Sequence, residues 1–159
     1  MFKRILIPVD GSDTSTKALV AGLQMARETG ASVRLVHFVN EMAYLSGIDP
    51  YGSYSADLAG MMREGGAKVL ADAMAVAQSA SVEVSQVLLE EPGNRLGEAV
   101  ATAARQWGAD LVVVGSHGRR GIGRVLMGSG AEQILRLAPV PVLVIRGAAP
   151  AEGGEHPVD

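Results

Sequence analysis

"DLVVVGSHGRRGIGRVLMGSG", residues 110–130, decides the fold. Its opening run, Leu111–Val114, is wholly apolar, as a strand buried on both faces would be. A segment rich in glycine and arginine follows. Ala131, Ile134, Leu135 and Ala138 then recur at helical spacing. A buried strand that empties through a flexible basic loop into a helix is the carboxyl end of a parallel strand in an α/β sheet. In such sheets, ligands bind beyond the carboxyl ends of the strands, where the strand order reverses.

The same alternation extends in both directions. "RILIPV" (4–9) predicts a short buried strand, and "DGSDTSTKAL" predicts a helix start capped by Ser12 or Asp13. Leu19, Gly22, Leu23 and Ala26 share a helical face, and Gly30 sits where that helix would end in a left-handed residue. "SVRLVHFV" (32–39) is the second strand. Residues 41–66 read as irregular around Pro50, with a helix taking over within 56–80 on a face of Leu70, Ala73, Met74 and Ala77. The Gly65-Gly66 pair weakens its first half by about 1 kcal/mol per glycine relative to alanine. "VEVSQVLL" (82–89) alternates as a half-exposed edge strand would. Leu96, Val100, Ala103, Ala104 and Trp107 define the next helix, which Gly108 ends, and "PVPVLVIR" (139–146) is the last strand. The order β-α-β-α-β-α-β-α-β requires parallel strands and right-handed crossovers. It gives one α/β domain, residues 1–147, with helices on both faces of the sheet. The small, acidic, Pro/Gly-rich residues 148–159 read as a disordered tail.

Bulk properties narrow the function. With 159 residues, 48% of them hydrophobic, the chain can bury a core without a metal or disulfide staple. It has no cysteine, so thiol catalysis and cysteine zinc sites are excluded, and cytoplasmic residence is the default expectation. A net charge of −3 argues against general nucleic-acid binding. No apolar run reaches the ~18 residues of a membrane span, and the apolar stretch after Met1 is too short for a signal peptide. The three histidines, His37, His117 and His156, lack metal-ligand spacing.

Gly115 begins at the strand's carboxyl end, where glycine lets main-chain N–H groups approach a ligand. The helix starting near Gly128–Gly130 offers free N–H groups and a positive dipole end suited to phosphate. Arg119, Arg120 and Arg124 add positive charge, and Ser129 adds a hydroxyl donor. The pattern points to a phosphorylated small molecule. It is neither a P-loop nor a GxGxxG fingerprint. The bland alternative is a surface loop whose arginines are simply solvated.

The segment resembles the ATP-binding branch of the universal stress protein family, which carries G-x2-G-x9-G-[ST]. Here Gly115 is followed by two residues, Gly118, nine residues, Gly128 and Ser129. The opening "KRILIPVDGS" and the ending "PVPVLVIR" are similar to the family as well, so the resemblance covers residues 2–146 apart from the 41–66 segment. It implies an open five-stranded parallel sheet of order 3-2-1-4-5, Rossmann-like and similar to the adenine nucleotide alpha hydrolases. It places Asp10 on the ribose or adenosine part of ATP, with Pro8 and Val9 walling the base. Phe38 stands where a main-chain group reads adenine, at a position that is often aliphatic in the family. Val114, Gly115, Gly118, Gly128, Ser129 and Gly130 are implied to hold ribose and phosphates. Arg119 is the better side-chain candidate for phosphate, and His117 the other. Gly130 and Ala131 replace hydroxyl residues found in some relatives. Mg or Mn is expected only as a passenger on the phosphates.

Other residues have plainer readings. His37 reads as a packed core histidine, Met61, Met62 and Met74 as core or interface, and Tyr44, Tyr51 and Tyr54 as exposed loop residues. The last strand, 141–146, is an edge nearly free of charge, and the family resemblance implies a homodimer through it. No membrane or nucleic-acid partner is expected. The leading function is an ATP-binding regulatory protein of stress response. A slow ATPase or autophosphorylating enzyme is the first alternative, although no paired carboxylates or Walker-type lysine support it. A nucleotide-free dimeric interaction module is the other.

Overall fold

The computed structural model describes residues 1–40, 56–116 and 127–147. Within them, strands β1 (Arg4–Pro8), β2 (Ser32–Phe38), β3 (Val84–Leu89), β4 (Leu111–Gly115) and β5 (Val142–Ile145) alternate with helices α1 (Asp13–Thr29), α2 (Ala56–Gln78), α3 (Leu96–Trp107) and α4 (Ser129–Leu137). The strands form one sheet of order β3-β2-β1-β4-β5, and each neighbouring pair is parallel. Ile5 of β1 lies between Val33 of β2 and Leu111 of β4. The strand order therefore reverses between β1 and β4, as the sequence resemblance implies.

Strand alternation divides the core in two. Ile5, Ile7, Val33, Leu35, Leu111 and Val113 face α1 and α2, where they meet Leu19, Leu23, Leu70 and Ala77. Leu6, Val36, Val112 and Val114 face α3 and α4, where they meet Val100, Ala104 and Ile134. Strand β4 feeds both clusters with no exposed residue, which is why its sequence reads as an unbroken apolar run.

Local chemistry sets the helix ends. Ser12, not Asp13, caps α1: its hydroxyl accepts from Ser15 N–H, and the helix ends at Gly30 with φ of 67°. The start of α3 is tied by Arg95 N–H donating to the Glu98 carboxylate at 3.0 Å. Its far end is held by Arg4, which donates to the Trp107 carbonyl at 2.8 Å, and by Arg34, whose guanidinium lies 4.8 Å from the centre of the Trp107 ring. These contacts fix the axial position of α3, whose first turns reach the site described below.

Two sequence expectations need correction. Residues 56–66 are helical, the first half of α2, so the irregular reading of 41–66 fails there. The buried positions Ala59, Gly66, Leu70, Ala73 and Ala77 form a continuous face, but small residues on it hide the periodicity. A Cβ on Gly66 would come within 2.7 Å of Leu88 Cδ1 and 2.9 Å of His37 Cδ2. Glycine is there to admit those side chains. Residues 41–55, with Tyr44, Tyr51 and Tyr54, lie outside the described residues. The second correction concerns Leu135, which is 43% exposed beside Leu137 at 45%. Only Ala131 and Ile134 of α4 are buried, and Ala138 follows as the C-cap. The sheet ends at β5, and no described element covers that side of α4. Met61 is exposed as well, so it does not join the core.

Strand bounds also tighten. β5 spans only Val142–Ile145, because Pro139 and Pro141 lack the N–H a ladder needs. Every residue of β5 is half-buried, as expected of an edge. β3 occupies the opposite edge and is half-exposed as expected, but its burial does not alternate: Gln86 and Val87 are both exposed. The tail, residues 148–159, lies outside the described residues.

Candidate functional site

The reversal between β1 and β4 opens a crevice at the carboxyl ends of both strands. Gly115 closes β4 there. A Cβ on it would lie 2.7 Å from the carbonyl carbon and oxygen of Thr14 and 3.0 Å from Ser15 N. The start of α1 therefore packs directly on the end of β4. None of the described glycines of the loop, Gly115, Gly128 and Gly130, has positive φ. Close approach, not a left-handed turn, is the physical demand on Gly115.

The crevice holds a cavity of about 370 Å³. That lies within the roughly 300–1,000 Å³ typical of small-molecule pockets. Its apolar wall comes from Val36 and Phe38 of β2, Leu96 and Val100 of α3, and Ile134 of α4. Pro8, Val9 and Asp10 border it from the end of β1, and Val114 and Gly115 from the end of β4. Gly128, Ser129, Gly130 and Ala131 border it from the start of α4.

Asp10 is held by its neighbours. Its Oδ1 accepts from Ser12 N–H at 2.9 Å and from the Ser12 hydroxyl at 2.6 Å. Its own N–H donates to Ser15 Oγ at 3.1 Å. Ser15 is buried, and its hydroxyl sits at the point where α1 meets the crevice. Among the described residues Oδ2 takes no hydrogen bond, so one carboxylate oxygen is left to accept from a ligand. The capping role belongs to Ser12, and Asp10 organises the capping residue while lining the cavity.

The start of α4 is the second polar element. Gly128 is its N-cap and supplies no side-chain cap. Gly128 N–H donates to the Ser116 carbonyl at 2.6 Å, and Ser116 N–H donates to the Ile145 carbonyl at 2.8 Å. These bonds tie Ser116 and Gly128 to the sheet beside the crevice. Glu132 N–H returns to the Gly128 carbonyl at 3.0 Å, the first intrahelical bond of α4. The N–H groups of Ser129, Gly130 and Ala131 have no acceptor among the described residues. They lie on the cavity wall at the positive end of the helix dipole, an arrangement that favours an anionic oxygen.

The structure brings Pro8, Val9, Asp10, Phe38, Val114, Gly115, Gly128, Ser129 and Gly130 to the border of a single cavity. His117, Gly118 and Arg119, with Arg120 and Arg124, lie outside the described residues. Sequence reasoning missed Ser15, Val36, Asn40, Leu96, Val100 and Ile134 as cavity residues. Their helix and strand periodicity marked most of them as core, and only the carboxyl-end position of β2 and the first turns of α3 and α4 single them out. His37, read as a packed core histidine, is half-buried and also borders the cavity. Among the described residues, no group of three or more histidine, cysteine, aspartate and glutamate side chains is placed to hold a metal. No described helix is long and apolar enough to cross a membrane.

Comparison with known proteins gives a consistent picture. The model of the universal stress protein family matches residues 1–146. A universal stress protein of Methanocaldococcus jannaschii is 32% identical over 147 residues, covering 92% of this chain and 83% of the relative. A crystal structure of a universal stress protein family member from Burkholderia pseudomallei superposes with a TM-score of 0.71 at 33% identity, over 90% of this chain and 95% of that one. The universal stress protein from Archaeoglobus fulgidus in complex with dAMP shares the fold, with a TM-score of 0.65 at 23% identity over 90% of this chain and 97% of that one.

Proposed function

The chain belongs to the universal stress protein family, and from that premise we propose that it is a regulatory protein that binds an adenine nucleotide, ATP foremost, in the crevice between β1 and β4. The observation that carries this reading is the start of α4: three N–H groups with no acceptor among the described residues, on the wall of a cavity whose other side is apolar. A nucleotide has that same polarity, with a flat base at one end and anionic oxygens at the other. The base fits against Phe38, Val36, Leu96 and Val100. The ribose hydroxyls fit the free oxygen of Asp10, since a carboxylate makes strong charge-assisted bonds to hydroxyl donors. The phosphates fit Ser129, Gly130 and Ala131, together with His117, Gly118 and Arg119 of the adjoining segment. Mg or Mn would travel on the phosphates, because magnesium is commonly held by phosphates and water with few protein ligands. The dAMP complex of the Archaeoglobus fulgidus relative lends support from a protein of the same fold.

Nucleotide-stripped protein is expected to retain ATP in equilibrium dialysis in preference to GTP and to inorganic phosphate. Equal retention of all three, or of none, contradicts the reading.

Pairing between chains is the second part of the proposal. β5 is a sheet edge with half-buried residues, and Leu135 and Leu137 expose apolar surface on the adjacent α4. A second copy running antiparallel along β5 satisfies the edge N–H and C=O groups and covers this surface. Because α4 contributes to both the cavity and this face, nucleotide occupancy and pairing are expected to influence each other, provided the ligand binds the two states differently. Light scattering at micromolar concentration is expected to give twice the chain mass. A monomer there contradicts the pairing.

A further inference from the structure

Val9 carries the chain from β1 into Asp10, and its peptide is fixed from two sides. Its N–H donates to the Val36 carbonyl at 2.8 Å. Its carbonyl oxygen lies 2.7 Å from His37 Nδ1. A carbonyl only accepts, so Nδ1 carries the proton, and the neutral imidazole is the Nδ1–H tautomer. The ring is held in turn by α2. Gly66 of that helix is buried against His37 and Leu88, and a Cβ there would press into both. A glycine in mid-helix costs about 1 kcal/mol relative to alanine. Here the glycine makes room for an imidazole at the edge of the cavity. The same short stretch continues into Asp10, whose N–H is held by Ser15 and whose Oδ1 is held by Ser12.

We infer that His37 is a positioning residue for the ligand: its Nδ1–H fixes the Val9 carbonyl, and through it the Val9–Asp10 segment that borders the cavity. This rests on the nucleotide reading above and adds to it a residue on the α1–α2 side of the sheet. The imidazole acts through Val9, so what matters is a donor at the δ position of residue 37. Asparagine carries an N–H donor at that position. Leucine fills comparable space without one, and it strands a carbonyl in a mostly buried setting.

The test measures ATP affinity by calorimetry for the wild type, His37→Leu and His37→Asn, with a thermal melt of each. His37→Leu is expected to bind about tenfold more weakly, the effect of one unsatisfied buried acceptor. His37→Asn is expected to stay within about threefold of wild type although it, too, loses packing and melts lower than wild type. If both variants bind as wild type does, or if both weaken in step with their melting temperatures, His37 is only a packing residue and the inference is overturned. A wild type that does not bind ATP defeats the nucleotide reading instead, which is a separate result. One measurement needs no variant. The imidazole nitrogen resonances of the ligand-free wild type are expected to report the Nδ1–H tautomer, and an Nε2–H tautomer overturns the inference even if both variants fail to fold.

Discussion

Gly115→Ala lowers stability by about 1–3 kcal/mol, the usual range for forcing an extra methyl group into a packed interior. For a domain of this size, that is a fall in melting temperature of roughly 3–10 °C. The effect is large because the obstacle is backbone. The new methyl would meet the Thr14 carbonyl and Ser15 N at 2.7–3.0 Å. Neither can swing aside without moving the start of α1, and with it Ser15 and its bond to Asp10. Gly130→Ala is the control. Its methyl meets only the tip of the Leu96 side chain, which can change rotamer. The expected loss there is under about 1 kcal/mol, as for tolerated volume changes, with the consequence falling on the cavity that Gly130 and Leu96 share. Thermal melts of the two variants check this directly. Equal melting temperatures would mean that the close packing of β4 on α1 does not constrain the fold.

Asp10→Asn is the second large effect, and it falls on binding. The asparagine carbonyl can still accept from the Ser12 N–H and hydroxyl, so the turn before α1 survives and the melting temperature changes little. The side-chain NH₂ then takes the place of the free carboxylate oxygen and presents donors to ligand hydroxyls that are themselves donors. Hydrogen bonds to charged groups contribute about 1.5–3 kcal/mol, so nucleotide affinity is expected to fall about tenfold to a hundredfold. A titration of the folded variant measures it. Unchanged affinity would remove Asp10 from the site.

Much of this was legible in the sequence because the determining residues are local. The apolar run of β4, the caps at Ser12 and Gly30, and the turn at Gly108 each act within a few residues, so pattern and propensity locate them. The spacing from Gly115 to Ser129 pointed to the strand ends where the cavity lies. What escaped has a common cause. The first half of α2 presents Ala59 and Gly66 toward the sheet, and the reason for Gly66, the His37 ring, sits in a strand 29 residues earlier. Leu96, Val100 and Ile134 read as core because a cavity wall and a core face have the same periodicity. Leu135 shares the helical spacing of Ala131 and Ile134, and spacing alone does not reveal that no described element covers its side of α4. His37 looked like filling, since its partner is a backbone carbonyl and carries no side-chain signature. In each case the missing information is a tertiary contact between elements distant in the chain.

The central claim is that the crevice between β1 and β4 binds an adenine nucleotide through Asp10 and the start of α4. Calorimetric titration of nucleotide-free protein with ATP, with and without magnesium and alongside Asp10→Asn, tests it most directly. The predicted result is saturable binding close to one ATP per chain, weakened at least about tenfold in the variant. Absence of binding by folded, nucleotide-free wild-type protein, or equal affinity in the two, would contradict it.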